Sequence, residues 1–302
     1  MHLKLIYQRS SMTYKEILEL AGKHLESLVG SQMDVVDITK PPTLEYAEHL
    51  AKTVSKLSPL VGNMIEFKVC EELNTLDWKG LGEWKRQDPG FPDTIFDGKI
   101  EPQPGIEIKT WFPLATEITA RFKDSINHFD QDQTHVALVA WLPEYIIYGK
   151  PVLIDVWVGS AKSLASARDS HYHRPPDYLV FEPEDTSSRT SNLQQTNTNG
   201  YKFQGDSSLL KKAEKDILSW GANGKVYEPT VEYQTKLKGL LGKYPYRLDT
   251  NFAKMDRIQH ESMEEFKSKV LESKLHGHRI KEWAKLISDS KTNTIDLIKD
   301  LI

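Results

Sequence analysis

The 302-residue chain contains one cysteine, Cys70. That excludes an intramolecular disulfide and a cysteine-built zinc site, and its place in an apolar helical stretch marks it as a buried thiol. No run of about 18 or more apolar residues occurs, and the first nine residues have no long apolar segment, so the sequence predicts neither a spanning helix nor a secretory leader. A cytoplasmic protein is expected. No Gly-x-Ser-x-Gly elbow marks a serine hydrolase, and no Gly-rich P-loop marks an NTPase. Positive charge is also in deficit, with 39 Lys and Arg against 43 Asp and Glu. The deficit is local: residues 34 to 107 hold fourteen acids and eight bases, so the remainder of the chain is slightly basic. Nucleic-acid phosphates would have to be met by that remainder, or with the help of a divalent cation.

What is present centres on residues 92 to 111, which read as two short strands joined by a Gly/Pro-rich turn. In the second strand Ile106 and Ile108 alternate with Glu107 and Lys109, which puts the isoleucines in the core and the carboxylate and ammonium together on the opposite face. Strand pairing brings Asp93 beside Glu107. Two neighbouring carboxylates repel unless a hard dication lies between them, and Mg²⁺ accepts one or two carboxylates, waters and phosphate oxygens. A lysine beside such a pair can hold a phosphate oxygen or orient an attacking water. The chemistry expected is metal-dependent hydrolysis of a phosphodiester. Asp97 is the alternative first acid, although Asp97-Gly98 reads as a turn.

Upstream, residues 58 to 73 have helical spacing at Val61, Ile65 and Val69, with Pro59 in the first turn and Glu66 on the flank of the apolar stripe. Gly62, one turn before Glu66, permits close approach of another segment. Downstream, Leu114, Ile118, Phe122, Ile126 and Phe129 recur at three to four residues and predict an amphipathic helix.

With Pro92-Asp93 and Glu107-Ile108-Lys109 in this order, the chain resembles the PD-(D/E)xK nuclease superfamily. Gly62 and Glu66 followed by Gly105 to Thr110 are most similar to the branch containing MutH-type nickases and some type II restriction endonucleases. The resemblance covers roughly residues 58 to 158. It implies a restriction-endonuclease-like α/β core, a central mixed β-sheet flanked by helices. It also implies Mg²⁺ held by Asp93, Glu107 and Glu66, with Lys109 positioning the water. The activity implied is that of a type II restriction endonuclease cutting double-stranded DNA at a short sequence, as a homodimer, with a cognate DNA methyltransferase as its functional counterpart. The same residues would serve a repair nickase, and a DNA-binding protein with an inactive nuclease fold is the non-enzymatic alternative.

The rest of the chain divides into a helical region over 1–57, the nuclease core over 58–185, and a polar loop with a helical C-terminal region over 186–302. Residues 78 to 91 read as a loop in which Trp78 and Trp84 pack and Lys85 and Arg86 meet phosphate. Residues 135–142 and 151–158 are apolar runs that predict buried strands, with Asp155 hydrogen-bonded at a strand end. Arg168 and Arg174 fall in a helix end and surface loop suited to DNA contact. His171 and His173 lack the further ligands a zinc site needs. From 186 to 204 almost nothing apolar occurs, and Arg189, Asn192, Gln194, Gln195, Asn197, Asn199 and Lys202 have the donors and acceptors that read base edges. Lys236, Lys238, Lys243, Arg247, Lys254 and Arg257 suggest a basic surface among the C-terminal helices.

Overall fold

The computed structural model describes residues 12–87, 90–123, 126, 129, 131–172, 180–181, 200–203, 206–220, 231–248 and 253–288. Its centre is a five-stranded sheet in the order β1 (Gly82–Arg86), β2 (Thr94–Gly98), β3 (Gly105–Trp111), β4 (Thr134–Pro143) and β5 (Pro151–Ser160). The β3–β4 pair is parallel and the other three pairs are antiparallel. This is the expected mixed sheet flanked by helices. Among the described residues no helix is long and apolar enough to cross a membrane.

Helices α1 (Tyr14–Ser27) and α3 (Ser58–Leu73) cover one face. Both approach through glycine: a Cβ on Gly22 would lie 3.3 Å from Val158, and one on Gly62 only 2.5 Å from Thr110 Oγ1. The capping box of Thr13 and Glu16 starts α1 by satisfying backbone donors that a helix end leaves open. A shorter helix, α2 (Leu44–Thr53), leads into α3. Helices α4 (Ala161–Tyr172) and α7 (Glu261–Glu272) lie on the other face. There Trp111 packs on Phe266 at 6.1 Å between ring centres, and Trp157 Nε1 donates to Ser262 Oγ at 3.0 Å.

The stretch expected to be a loop before Pro92 contains β1, an edge strand. Its exposed backbone is capped by a side chain: Asn74 Nδ2 donates to Trp84 O and Trp84 N–H donates to Asn74 Oδ1, both at 2.8 Å. An amide that returns both ladder bonds covers the edge at Trp84. The tryptophans pack as expected, Trp78, Trp84 and Phe96 meeting edge to face at 5.3–6.0 Å.

Among the described residues the expected helix over 114–129 is not formed. A short 3₁₀ turn at Pro113–Ala115 ends at Thr116, whose φ is +57°, and no α-helix follows among the described residues up to β4. The apolar periodicity still describes burial, since Ile118, Phe122 and Phe129 are enclosed. The backbone bonds go to a distant segment instead of to the preceding turn. Ile118 N–H donates to Asp256 Oδ1, Phe122 N–H to Ala253 O, and Met255 N–H to Ala120 O. A periodic pattern fixes which side chains face inward; here a strand-like partner took the donors.

Residues 255–288, including α7, the β9–β10 hairpin (Lys274–Leu275, His278–Arg279) and α8 (Ile280–Ser288), join the main core through Met255, Phe266, Val270 and Trp283. Helices α5 (Ser207–Leu218) and α6 (Val231–Lys243) form a separate small core around Ile217, Leu237 and Leu241. A second sheet of three short strands, β6 (Val180–Phe181), β7 (Gly200–Phe203) and β8 (Tyr246–Leu248), completes the described elements. The helical C-terminal region is thus split between two cores.

Candidate active site

The β2–β3 ladder stops at Thr94–Ile106. One residue beyond, carboxylates replace carbonyls as acceptors: Asp93 N–H donates to Glu107 Oε2 at 3.1 Å, and Ile108 N–H donates to Asp93 Oδ2 at 2.6 Å. The two strands splay while the Asp93 and Ile108 N–H groups stay satisfied, and each acid is oriented by the main chain of the strand opposite. Hydrogen bonds from backbone N–H to an ionised carboxylate are stronger than neutral ones. Asp93 is fixed from behind as well. Gln87 N–H donates to Asp93 O at 2.8 Å and Gln87 Nε2 to Pro92 O at 3.1 Å. A Cβ on Gly105 would stand 2.3 Å from Pro92 Cγ, so glycine is required for Pro92 to pass.

Lys109 closes the group. Its Nζ donates to Glu107 Oε1, lies 3.7 Å from Asp93 Oδ2, and also meets Ile108 O at 3.3 Å. Burial alone would pull this amine down. The charges of Glu107, Asp93 and Glu66 outweigh it, and the ammonium is held above its ordinary value of 10.5. Lys109 is therefore a cation at neutral pH, suited to holding a phosphate oxygen or donating to a water, and not a base. Glu107 is only 7% exposed, because helices cover both faces of the sheet, so the face that it shares with Lys109 is a half-enclosed site.

Glu66 is half-buried on α3, one turn after Gly62, and its charge contributes to the field at Lys109. It does not close a three-acid cage: among the described residues no three His, Cys, Asp or Glu side chains are grouped to hold a metal. Asp97 is excluded from the site. It accepts from Lys85 Nζ at 2.6 Å on the exposed part of the β1–β2 pair.

The expected DNA contacts fare differently. Lys85 is exposed, but its ammonium is shared between Asp97 and Glu83. Arg86 is exposed at the end of β1 beside the outer side of α3. Arg168 is fully buried, with Nη1 donating to Phe122 O at 2.8 Å and the guanidinium over the Phe122 ring, so it braces the 116–133 crossover and presents nothing to DNA. Arg174, Arg189, Asn192, Gln194, Gln195, Asn197 and Asn199 lie outside the described residues, as does His173; Lys202 falls in β7, without a described side chain. Three members of the basic C-terminal surface are paired: Lys236 with Glu232, Lys243 with Asp216 and Lys254 with Glu117. Asp155 lies inside β5 and not at its end. It accepts from Val156 N–H and pairs with Lys269 of α7 at 2.7 Å.

Of the residues that position the acids, Gly105 enters the sequence reading only as the first residue of the motif strand, and Gln87 does not enter it. The available signal was the flanking of Pro92-Asp93 and Glu107 by a polar side chain and a glycine, which by itself reads as turn chemistry. Comparison with family models, with curated proteins and with solved structures gives no match for this chain.

Proposed function

We propose that the chain is a Mg²⁺-dependent nuclease of the PD-(D/E)xK kind, with a restriction-endonuclease-like core, and that it acts as a type II restriction endonuclease on double-stranded DNA. The observation that carries this reading is the convergence of Asp93, Glu107 and Lys109 at the splayed end of β2 and β3, each acid held by a backbone N–H of the facing strand.

The donor set suits a hard dication. Mg²⁺ is commonly held by one or two carboxylates and keeps several waters, so the absence of a third grouped acid does not count against Asp93 and Glu107 as its ligands. Glu66 then acts through water or through its charge. The ion, when bound, supplies a polarised water and stabilises charge on the phosphorus oxygens. The chain's own residues do the rest: Asp93 and Glu107 keep their geometry through the main chain, and Lys109 offers a fixed ammonium to a phosphate oxygen or to the attacking water. Among the described residues no α-helix lies between β3 and β4, where the superfamily's order has one, so the reading rests on the site and not on the full fold.

The test is incubation with plasmid and phage DNA in Mg²⁺ and in EDTA, alongside Lys109→Ala and Glu107→Ala. Discrete metal-dependent fragments that both variants lose are expected. Nicked circles alone would move the assignment to a repair nickase, and binding without cleavage under several divalent metals would leave a DNA-binding protein. A restriction activity further implies a cognate methyltransferase protecting the same sequence.

A further inference from the structure

Helix α3 is apolar on two sides. Val61, Ile65, Val69 and Leu73 are buried against the sheet, while Leu60 (55% exposed), Met64 (36%) and Phe67 (51%) form a second stripe at four- and three-residue spacing with nothing over it among the described residues. A surface helix carries one such stripe, and a helix with two is one that is covered on both sides. Beside the second stripe runs a groove of about 430 Å³, lined by the same three residues together with Val35, Asp34 and Arg86.

The charges along this stripe identify what covers it. Just before its N-terminal end, in the 3₁₀ turn Val54–Leu57 that leads into α3, Lys56 is exposed, with no ion pair among the described residues. At its C-terminal end Lys68 is shared between Glu71 and Glu72, at 3.2 and 3.3 Å, which leaves one carboxylate in excess on the helix itself, with Arg86 of β1 beside it. The stripe is therefore positive at one end, negative at the other and apolar between. That polarity is complementary to its own reverse. Two copies of α3 laid antiparallel about a twofold axis at Met64 bring Leu60 of each against Phe67 of the other, and in the same register bring Lys56 of each to Glu71 of the other. Closed twofold pairing of one patch with itself is the commonest symmetry of soluble oligomers.

We propose that the exposed side of α3 is the dimer interface of this protein, formed by antiparallel α3–α3 packing centred on Met64. The inference stands on the stripe and its charges and does not depend on the nuclease reading. If both hold, Gly62 and Glu66 tie the interface helix directly to the catalytic strand.

Sedimentation velocity and light scattering on the full chain test it, read against a monomer mass of 34.6 kDa. A species of twice that mass is expected at about 50–100 µM, since a single helix pair lies at the small end of specific interfaces. Met64→Glu places two carboxylates at the axis and returns the protein to monomer; because Met64 is partly exposed, its circular dichroism stays that of the parent. Lys56→Glu weakens the dimer severalfold, and Lys56→Glu with Glu71→Lys restores it. Register is read by oxidation: Met64→Cys cross-links to itself, whereas Leu60→Cys and Phe67→Cys cross-link only when mixed, Cys70 being buried. A monomer at all concentrations, or a dimer indifferent to Met64→Glu, overturns the proposal. Neither result bears on DNA cleavage, which the nuclease assay decides separately.

Discussion

Lys109 and Lys243 each sit against an aspartate or glutamate, and the two pairs have different consequences. Lys243 meets Asp216 at 2.5 Å on the small α5–α6 core, where the lysine side chain is 61% exposed and Tyr244 Oη shares the carboxylate at 2.7 Å. Lys109 is 18% exposed, and the acids it faces are held by main-chain N–H groups. At the surface the lysine is part of what orders the acid. In the sheet the acids are ordered without it, so the ammonium can be exchanged for a metal or engage a substrate while the geometry persists. What separates a site from an ion pair is who holds the carboxylates.

The largest effect should therefore come from Lys109→Ala. Loss of a preorganised cationic donor costs about a hundredfold or more in cleavage rate. The variant leaves Glu107 and Asp93 facing one another without a cation, so Mg²⁺ should raise its melting temperature more than that of the parent. Equal metal shifts in the two proteins would mean that these acids do not bind the ion.

Next is Gly62→Ala, which drives a methyl to 2.5 Å from Thr110 Oγ1. Overpacking of this kind costs about 1–3 kcal/mol. The clash is with one hydroxyl, since Thr110 Cβ is 3.6 Å away, so Gly62→Ala with Thr110→Ala should recover most of the urea midpoint. Cleavage should fall in Gly62→Ala even where the protein is fully folded, because Glu66 is carried on the displaced turn. A double variant no more stable than the single one would show that α3 is not seated by this contact.

These two predictions mark what was legible in the chain. Asp93, Glu107 and Lys109 could be placed together because strand alternation is a strict rule and the motif is short. The close approach at Gly62 was visible because only glycine permits it. The helix over 114–129 was misjudged because period alone cannot say where a backbone donates, and Ile118 and Phe122 found partners some 130 residues on. Arg168 looked like a surface cation because nothing local shows that Phe122 O would lie above it. The strand at 82–86 is hidden by the glycines and tryptophans in and before it, Trp78, Gly80, Gly82 and Trp84, and it is stabilised as an edge by Asn74, whose position at the end of α3 reads as a helix cap.

A smaller effect is expected at His135, on β4 beside β3. Burial holds this imidazole below its ordinary 6.5, with Asp132 opposing only in part. The unfolded chain then binds a proton that the folded chain refuses, so stability is full above pH 6.5 and declines as the pH falls below it. His135→Gln should lose less of its urea midpoint than the parent between pH 7.5 and 5.5. The other histidines contribute equally to both proteins, and identical acid slopes would remove His135 as the cause.

The smallest effect belongs to the other half of the comparison. Lys243→Ala removes an ion pair with geometry as close as that at the site, yet its partners are in water. Asp216 lies below its usual value through its bonds to Lys243 and Tyr244, and the second of these remains in the variant. Exposed pairs contribute little to stability, and with the Tyr244 bond retained the chemical-denaturation midpoint should stay that of the parent. It should also leave DNA cleavage untouched, since the α5–α6 core is separate from the sheet that carries Asp93 and Glu107. A cleavage defect in Lys243→Ala at unchanged stability would instead place the small core against the substrate, and the contrast between an anchored site and a solvated pair would then have to be redrawn around DNA contact.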